Sequence, residues 1–340
     1  MIRILGGGIA GASLAYALAV RKAPDVLVVD PNPPGWGSTV RATGGFRTQF
    51  VSSLNIELSL ASRRFFEQYA TQIDFRSNGY AYLAFDEVST TLLSEWRRAQ
   101  IELGLPVISA NTPELFPGLT FDDVTASNYC ALDGVYDPSA LLDFFRQEAV
   151  GAGARFHYGA QRVLKDHAAD DTVVVAAGRW SRDVGHVLGV TLDVRPEERR
   201  VWLLGGTSPR EDMPLGIDME GGWVFRERDG ALLLVSPPVT QETDAAFDAW
   251  VVRHVRDSGQ VVTMREWTCF YENTFDHHPL VGRTSRAHVW ASCGFSGHGI
   301  MHAPAIADSL AAMMLGDTPA IDVIPLSPLR DRGLAEPTVF

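Results

Sequence analysis

The chain begins with three glycines whose spacing suits the binding of a dinucleotide. Gly6, Gly8 and Gly11 fit the pattern GxGxxG, directly after a strand-like run and at the start of a helix-like run. The first glycine of this pattern permits a tight turn, the second lets the backbone approach a pyrophosphate, and the third lets the helix pack closely against the strand. Asp30 ends the next strand-like run, where a carboxylate can accept hydrogen bonds from ribose hydroxyl groups. The spacing therefore predicts dinucleotide binding; a glycine-rich turn that binds nothing is the alternative.

A second glycine-rich turn lies near the other end of the chain, where GFSGHG at residues 294–299 follows a strand-like run and precedes a helix. The N-terminus of that helix carries a partial positive charge and is available to an anion. A flavin ring gains negative charge at one edge when it is reduced, so a helix N-terminus aimed at that edge stabilises it. A nicotinamide enzyme does not need this second turn. The two turns together favour a flavin, and a tight turn before a packing helix is the alternative.

The elements that must position these turns predict two kinds of structure. A strand at residues 2–5, a helix after it and a strand at 26–30 form a βαβ unit, and the apolar run 173–178 predicts a strand that returns to the same sheet. Residues 190–270 hold several short strand-like runs separated by turn signals, which predicts a more antiparallel second domain. The expected fold class is α/β, with a Rossmann-like first domain and an α+β second domain.

Composition and charge exclude several classes of protein. The 340 residues suffice for about two domains. The formal net charge of −12 argues against nucleic acid and anionic membranes as partners, because both favour a basic surface. The three cysteines show neither a CxxC pair nor zinc-ligand spacing, so we expect no metal site. Glycines interrupt the apolar run at residues 4–20, so we expect no membrane span and a cytoplasmic protein.

Six segments together carry a resemblance to a known family. They are the glycine pattern at residues 6–11, ATGGFR at 42–47, DGVYDPSALL at 133–142, VVVAAGRWS at 173–181, FYENTFDHHPLVG at 270–282 and GFSGHGIMHAP at 294–304. In this order they resemble the D-amino acid oxidase-like flavoprotein family, most nearly the branch of monomeric sarcosine oxidase and the β subunits of sarcosine and proline dehydrogenases. The resemblance extends over nearly the whole chain.

The resemblance implies a flavoprotein with a discontinuous FAD-binding domain at residues 1–74, 138–190 and 282–340. A mainly antiparallel sheet at 75–137 and 191–281 is implied to form the substrate domain. Members of the family oxidise the carbon–nitrogen bond of an amino acid or N-alkyl amino acid by hydride transfer to flavin N5, giving an imine that hydrolyses. The implied partners are a small-molecule amine or amino acid and an electron acceptor, either oxygen or a carrier. The alternatives are a non-catalytic flavoprotein subunit of an assembly and an NAD-dependent dehydrogenase.

The resemblance also implies which residues contact the cofactor. Beyond the first glycine pattern and Asp30 they are Ser38, Arg41, Thr43, Gly44, Ala177, Gly178, Gly297, His298 and Gly299. The last three are expected to place backbone donors at the pyrimidine edge of the flavin, and Arg41 is equally read as a surface charge. Cys269 precedes Tyr271 by two residues, as does the cysteine that relatives bond through sulfur to the flavin 8-methyl carbon. A buried structural cysteine is the alternative.

Arg47 is the best candidate for holding a substrate carboxylate, because a guanidinium offers paired parallel donors and related enzymes keep an arginine near this place. A salt-bridged loop residue is the alternative. Tyr271 and His298 complete the expected catalytic set. Weaker pocket candidates are Tyr80, Tyr82 and Arg226, while His277 and His278 either are structural or line the pocket.

Two features depart from the relatives. Sarcosine oxidase-like enzymes use one lysine beside the flavin to activate oxygen and another just after GHG to help hold the carboxylate. This chain has no lysine after Lys165 and carries Met301 at the latter place. A dehydrogenase that passes electrons to a carrier is therefore expected at least as much as an oxidase. Residues 155–173 are also short for the small sheet that usually covers the adenosine, so we expect that cover to be trimmed.

Overall fold

The computed structural model describes residues 1–159 and 171–334. The strands in these ranges are β1 Ile2–Leu5, β2 Val26–Asp30, β3 Gly45–Phe46, β4 Tyr80–Ala84, β5 Ala126–Cys130, β6 Gly134–Val135, β7 Arg155–Tyr158, β8 Thr172–Val175, β9 Arg195–Gly205, β10 Leu215–Asp218, β11 Val224–Arg228, β12 Ala231–Val235, β13 Val262–Asn273, β14 Leu280–Arg283 and β15 Val289–Cys293. The helices are α1 Ile9–Val20, α2 Ser53–Gln68, α3 Ala70–Ile73, α4 Glu87–Glu102, α5 Thr112–Leu115, α6 Pro138–Gly151, α7 Ser181–Val187, α8 Thr243–His254 and α9 Gly299–Leu315.

The first sheet joins the two ends of the chain. Its strand order is β14-β15-β8-β1-β2-β7, in which all neighbours are parallel except β14 and β15. Strands β1, β2, β8 and β15 are almost wholly buried, as expected of parallel strands covered on both faces. The predicted return of the chain to this sheet is confirmed, since β8 pairs with β1 from Ile2–Thr172 to Leu5–Val175.

The second sheet has the order β13-β9-β12-β11-β10-β4-β5, and all its neighbours are antiparallel except β10 and β4. The predicted α/β fold with a mainly antiparallel second sheet is therefore confirmed. Side chains alternate between its two faces. Val224 and Leu233 belong to one apolar core, whereas Phe225 and Leu234 belong to a core on the opposite face, together with Trp250 of α8. The face that carries Val224 borders the site described below.

The predicted domain division stays a prediction. The first sheet draws on residues 2–30, 155–175 and 280–293, and the second on residues 80–130 and 195–273. A two-stranded sheet of β3 and β6 lies between these segments in sequence.

Two further expectations concern the periphery of the molecule. The trimmed cover expected at residues 155–173 falls largely outside the described ranges, and its first part is β7, which pairs with β2. No helix within the described ranges combines the length and the apolar character that a membrane span requires.

Helix α1 is buried along most of its length, because its small and apolar residues pack between α6 and α9. Gly6 has a φ of +118°, a conformation that favours glycine. A Cβ on Gly11 would lie 1.9 Å from the carbonyl oxygen of Gly6 and 3.2 Å from Cγ2 of Ile4. This geometry agrees with the tight turn and the close helix packing that the sequence predicts for the two glycines.

We predict that Gly11→Ala lowers the free energy of unfolding by about 1–3 kcal/mol, the usual cost of forcing extra atoms into a packed interior. The added methyl group would meet the Gly6 carbonyl, and the midpoint of thermal or urea denaturation measures the loss. Gly151→Ala is the matched control, because Gly151 is also helical and a Cβ there would have no atom of the described residues within 4 Å. Its stability should be unchanged or slightly higher, since alanine favours a helix over glycine. Equal midpoints for Gly11→Ala and the native protein would contradict the tight contact.

Candidate active site

The carboxyl ends of three neighbouring parallel strands meet at one edge of the first sheet. Leu5 of β1 is paired with Val175 of β8, and Val175 is paired with Ala291 of β15. The segments that follow these strands therefore emerge side by side, as is typical of binding sites in open parallel sheets. They are the glycine turn at residues 6–11, residues 176–178 and the glycine turn at 294–299. Both α1 and α9 begin at this edge.

Two cavities open at this edge and form one cleft. The first, the glycine-loop cavity, has a volume of about 930 Å³ and is lined by residues 6–10, Asp30 and residues 177–180. The second, the inner cavity, is lined by residues 42–45, Arg47, residues 269–272 and residues 297–301. Five residues line both cavities: Ile9, Ser38, Thr39, Phe270 and Glu272. The two glycine turns thus open onto a shared space.

The glycine end of the cleft has the features that a dinucleotide requires. The carboxylate of Asp30 accepts hydrogen bonds from the backbone N–H groups of Gly7 and Asn32, each at 2.8 Å, which fix it at the cavity wall. Gly8 is the N-cap of α1 and has no side chain. The nearest described atom to a Cβ at Gly8 would be Oγ1 of Thr39 at 3.3 Å, so the space before the helix N-terminus is open. A phosphate group fits such a place.

The second glycine turn closes the inner cavity at the N-terminus of α9. Gly297 has a φ of +85°, and a Cβ there would lie 2.6 Å from the ring of Tyr271. A Cβ on Gly299 would lie 2.6 Å from Cβ of Phe295. His298 donates its backbone N–H to the carbonyl oxygen of Phe295 at 3.1 Å, so this amide is not available to a flavin ring. The expected backbone donors are therefore reduced to Gly297 and Gly299.

The imidazole of His298 points into a buried aromatic group. Its Nδ1 donates to the carbonyl oxygen of Ser296 at 3.2 Å, and the ring centre lies 5.5 Å from that of Phe50 and 5.1 Å from that of His302. Burial, His302 and Arg47 hold the pKa of His298 well below its usual range, so the ring is neutral. Its Nε2 is buried and has no hydrogen-bond partner among the described residues. A catalytic role for the imidazole stays a prediction.

Arg47 lies in the wall of the inner cavity and is 4% exposed. Its guanidinium donates to the hydroxyl of Tyr82 and lies 4.2 Å from the ring centre of Phe50. The next residue, Thr48, donates from both its backbone N–H and its hydroxyl to the carboxylate of Asp133, each at 2.6 Å. Burial raises the pKa of Asp133 to about 6, although these hydrogen bonds oppose the rise. Arg47 is thus held in a fixed place beside the cavity.

Cys269 and Tyr271 of β13 both line the inner cavity. Burial raises the pKa of the Cys269 thiol to about 12, and the nearby charges of Arg199 and Arg41 oppose this rise. Tyr271 also lines a third cavity of about 350 Å³, where His277 lies as well. The guanidinium of Arg199 lies 4.7 Å from the ring centre of Tyr271. The bond between Cys269 and a flavin stays a prediction.

The structure brings most of the other predicted residues to the cleft but not all. Those that line it are Ser38, Thr43, Gly44, Tyr80, Ala177 and Gly178. Arg41 is not among the lining residues of the described cavities, and its carbonyl oxygen accepts a hydrogen bond from the indole of Trp267 at 3.0 Å. His278 is buried and its Nδ1 donates to the carbonyl oxygen of Asp276 at 2.9 Å, which is a structural contact. In residues 1–159 and 171–334, no group of three or more His, Cys, Asp or Glu side chains is arranged to hold a metal ion.

Other residues that the sequence did not single out also line the cleft, and four of them are Thr39, Arg179, Phe270 and Glu272. The hydroxyl of Thr39 accepts the backbone N–H of Ile9 at 3.1 Å. The guanidinium of Arg179 lies 4.0 Å from the ring centre of Phe270. Each of the four is next to a predicted residue in the chain, so the sequence could have indicated them by their position. It could not have indicated which way each side chain points.

Glu272 brings a carboxyl group to the junction of the two cavities. Burial raises its pKa to about 7, although backbone hydrogen bonds from Gly294 and Phe295 oppose the rise. Its Oε2 atom is buried without a hydrogen-bond partner among the described residues. A Cβ on Gly178 would lie 4.0 Å from this oxygen, and Gly178 and Glu272 both line the glycine-loop cavity. A polar atom left in this state is costly, and a donor group on a ligand in the cleft would satisfy it.

The comparison with known proteins decides which cofactor the cleft serves. A family model described as DAO, FAD dependent oxidoreductase, matches residues 1–313. The chain belongs to this DAO family.

Two curated relatives and one solved structure are similar to the chain. FAD-dependent oxidoreductase domain-containing protein 1 of Xenopus laevis is 26% identical, over 92% of this chain and 78% of that protein. Human mitochondrial dimethylglycine dehydrogenase is also 26% identical over 96% of this chain, which spans 44% of that protein's length. The crystal structure of L-proline dehydrogenase from P. horikoshii superposes with a TM-score of 0.87 over 97% of this chain and 96% of its own, at 23% identity, which shows a shared fold.

Membership in the DAO family confirms the predicted family, FAD as the cofactor and an oxidoreductase as the protein class. The cleft fits FAD on its own geometry as well. It is continuous from one glycine turn to the other, it is open before Gly8, and it holds the partnerless oxygen of Glu272 at its middle.

We predict that the FAD-free protein loses stability as the pH rises through about 7, because of Glu272. An acid whose pKa is raised by folding binds its proton more tightly in the folded state, so its contribution to stability is present at low pH and lost above the folded pKa. Glu272→Gln should therefore show a smaller difference in unfolding midpoint between about pH 5.5 and about pH 8 than the native protein does. Asp133 adds a loss of the same sign, so the Glu272→Gln midpoint should still fall somewhat between these two pH values.

Glu266→Gln is the control for this experiment. Glu266 lies on the same strand but is exposed, in an ion pair with Arg200 at 3.3 Å. Its replacement should leave the pH dependence unchanged. An identical pH dependence for Glu272→Gln and the native protein would show that Glu272 does not titrate in this range.

Proposed function

We propose that this DAO-family protein oxidises the carbon–nitrogen bond of an amino acid or N-alkyl amino acid in the inner cavity. The observation that carries the proposal is the buried guanidinium of Arg47 in the wall of that cavity, close to the turn that precedes α9. A buried guanidinium forms strong paired hydrogen bonds with a carboxylate. Dimethylglycine, which the name of one relative specifies, is an amine that carries a carboxylate, and this supports the same substrate class here.

FAD lies along the cleft in this proposal, with its ADP half at the first glycine turn. The open space before Gly8 suits the pyrophosphate, and the fixed carboxylate of Asp30 suits a ribose hydroxyl. The partnerless oxygen of Glu272 suits a hydroxyl group on the chain between the phosphates and the ring. Gly297 and Gly299 bring backbone N–H groups and the N-terminus of α9 to the ring edge that gains negative charge.

The chain's own residues orient the substrate and keep the inner cavity dry. Arg47 holds the carboxylate and so fixes the carbon beside the amine nitrogen. Burial raises the pKa of Tyr80 and of Tyr271, so both phenols stay protonated and act as hydrogen-bond donors. Tyr271 also separates the inner cavity from the third cavity. Bound FAD supplies the acceptor that takes a hydride at N5 from the substrate carbon, and the imine product hydrolyses.

The lack of any lysine after Lys165 supports a carrier as the electron acceptor, because the lysine that activates oxygen in sarcosine oxidase-like relatives then has no counterpart in that part of the chain. Met301 lines the inner cavity, and its sulfur accepts the backbone N–H of Arg47 at 3.4 Å. A thioether therefore occupies the place of the other lysine of those relatives, the one that helps hold the carboxylate.

The test of this function is reduction of the flavin by amines, with and without Arg47. We predict that native holoenzyme is reduced by at least one carboxylate amine among sarcosine, dimethylglycine and proline, followed as loss of flavin absorbance without oxygen. Arg47→Met should raise KM for that amine by about 10- to 150-fold, corresponding to the ~1.5–3 kcal/mol of a hydrogen bond to a charged group. Reduction of the flavin by the corresponding amine that lacks a carboxylate should be no weaker in Arg47→Met than in the native protein.

Arg253→Met is the control variant, since Arg253 is exposed and paired with Asp123 far from the cleft. It should behave as the native protein. An unchanged KM in Arg47→Met would remove Arg47 from the site, and the absence of flavin reduction by any amine would overturn the proposed reaction.

The linkage between FAD and Cys269 has its own test. The position of the sulfur in the inner cavity agrees with a bond to the flavin. We predict that acid precipitation of native holoenzyme gives a yellow pellet, and that Cys269→Ser gives a colourless pellet with a yellow supernatant. Cys293→Ser is the control, because Cys293 is equally buried but does not line the inner cavity as described. A yellow supernatant from the native protein would show that FAD is not covalently bound.

A further inference from the structure

Arg226 is a buried cation that the described residues do not neutralise. It lies on β11, is 3% exposed, and its Nε and Nη1 atoms are buried without a hydrogen-bond partner among the described residues. Burial and the neighbouring charges of Arg228 and Arg76 lower its pKa to about 10, although the charge of Glu227 opposes this fall, and the side chain stays charged at neutral pH. A buried charge without partners is among the most costly features of a folded protein.

The acidic groups near Arg226 are engaged elsewhere. Arg76 lies 3.6 Å from the carboxylate of Glu227, and the other oxygen of Glu227 accepts the backbone N–H of Gly230 at 2.8 Å. Arg228 lies 4.0 Å from the carboxylate of Asp229. Among the described residues, Arg76 and Arg228 therefore each have an ion pair, whereas Arg226 has none.

Arg226 lies on the face of β11 that borders the inner cavity, behind the residues that line it. It is two residues from Val224 on the same strand, so both side chains leave the same face of the sheet, and Val224 lines the inner cavity. Burial raises the pKa of Tyr136, another wall residue, and the nearby charge of Arg226 opposes this rise. The guanidinium, which has no ion pair among the described residues, is therefore directed toward the wall that Val224 and Tyr136 form around the inner cavity.

We propose that Arg226 binds a second acidic group of the substrate, so that the substrate class is an amino or N-alkyl amino dicarboxylate. The inference rests on the proposed function, in which Arg47 binds the first carboxylate. One carboxylate pairs with one guanidinium through two parallel hydrogen bonds. Arg47 comes from the loop after β3 and Arg226 from β11 of the second sheet, so the two guanidiniums approach the inner cavity from different elements.

This arrangement would select against substrates with one carboxylate. A site built to hydrogen-bond a polar group discriminates strongly against an analogue that lacks it, because the buried protein group is then left unpaired. A monocarboxylate would leave Arg226 in the state that the ligand-free protein shows. A dicarboxylate would neutralise it.

Binding of unreactive acids tests the proposal without requiring turnover. The holoenzyme is titrated with glutarate and with pentanoate, which differ by a carboxylate in place of a methyl group, and perturbation of the flavin spectrum gives each Kd. Native protein should bind glutarate at least about 10-fold more tightly than pentanoate. Arg226→Met should raise the Kd for glutarate by about 10- to 100-fold and change the Kd for pentanoate by no more than about 2-fold. Arg226→Lys should recover part of the difference, since it restores the charge.

Arg228→Met is the matched control, because Arg228 lies two residues along the same strand and has an ion pair. It should keep the native preference for glutarate. Thermal denaturation checks that Arg226→Met is folded, and its midpoint should not fall, since an apolar side chain of similar volume replaces an unpaired buried charge.

Three results would overturn the proposal. The first is equal affinity of the native protein for glutarate and pentanoate, and the second is an equal loss of affinity for both acids in Arg226→Met. The third is loss of FAD from Arg226→Met, which would identify the cofactor as the group that Arg226 binds.

Turnover distinguishes failure of this proposal from failure of the proposed function. If glutarate binds as expected but no amine reduces the flavin, the amine-oxidising function fails and the dicarboxylate site stands. If sarcosine reduces the flavin as efficiently as N-methylaspartate does, the function stands and the dicarboxylate preference fails.

Discussion

The register of β1, β8 and β15 is the constraint on which the site depends. The three strands come from distant parts of the chain, yet Leu5, Val175 and Ala291 lie level across the first sheet. Because parallel strands share one carboxyl edge, α1 and α9 begin at the same place and direct the positive ends of their dipoles into one cleft. A slip of β15 by one residue would move the second glycine turn by about 3.3 Å and turn every side chain of the strand to the opposite face of the sheet. All five residues of β15 are buried, so each side chain would then have to fit the packing of the other face.

Buried charges around the cleft are of two kinds, and the difference separates structural groups from ligand contacts. Asp133 is satisfied by the loop that carries Arg47. Asp276 is buried as well, yet hydrogen bonds from Arg330 lower its pKa to about 2. Glu272 and Arg226 instead keep buried atoms without partners in the described part of the chain. The protein tolerates the cost of such atoms most readily where a bound ligand completes them. Glu272 lines the cleft, and Arg226 shares a strand face with Val224, which lines it.

The sequence predicted features that consecutive residues form. It did not predict features that depend on how distant segments pair or on how a loop folds. The glycine pattern was readable because strand end, turn and helix start are consecutive, although its members act differently: Gly11 is required by its contact with the protein, whereas Gly8 leaves space for a ligand. The second sheet was predicted as antiparallel, but the faces of its strands depend on pairing between distant segments, so Arg226 was only a weak candidate. In the loop after β2, Thr39 lines the cleft and Arg41 does not, because the path of a loop decides which side chains face inward.

The cations beside the inner cavity are arginines, and this determines how the site responds to pH. An arginine keeps its charge when buried, whereas a lysine can lose its proton. Arg226 remains charged even with its pKa lowered to about 10. Two acids titrate near neutrality, since burial raises the pKa of Asp133 to about 6 and that of Glu272 to about 7. As pH rises through this range, Glu272 gains negative charge at the middle of the cleft while the positive charges stay constant. Because the diphosphate of FAD is itself anionic, the new charge opposes cofactor binding, whereas the guanidiniums that would hold carboxylates are unaffected.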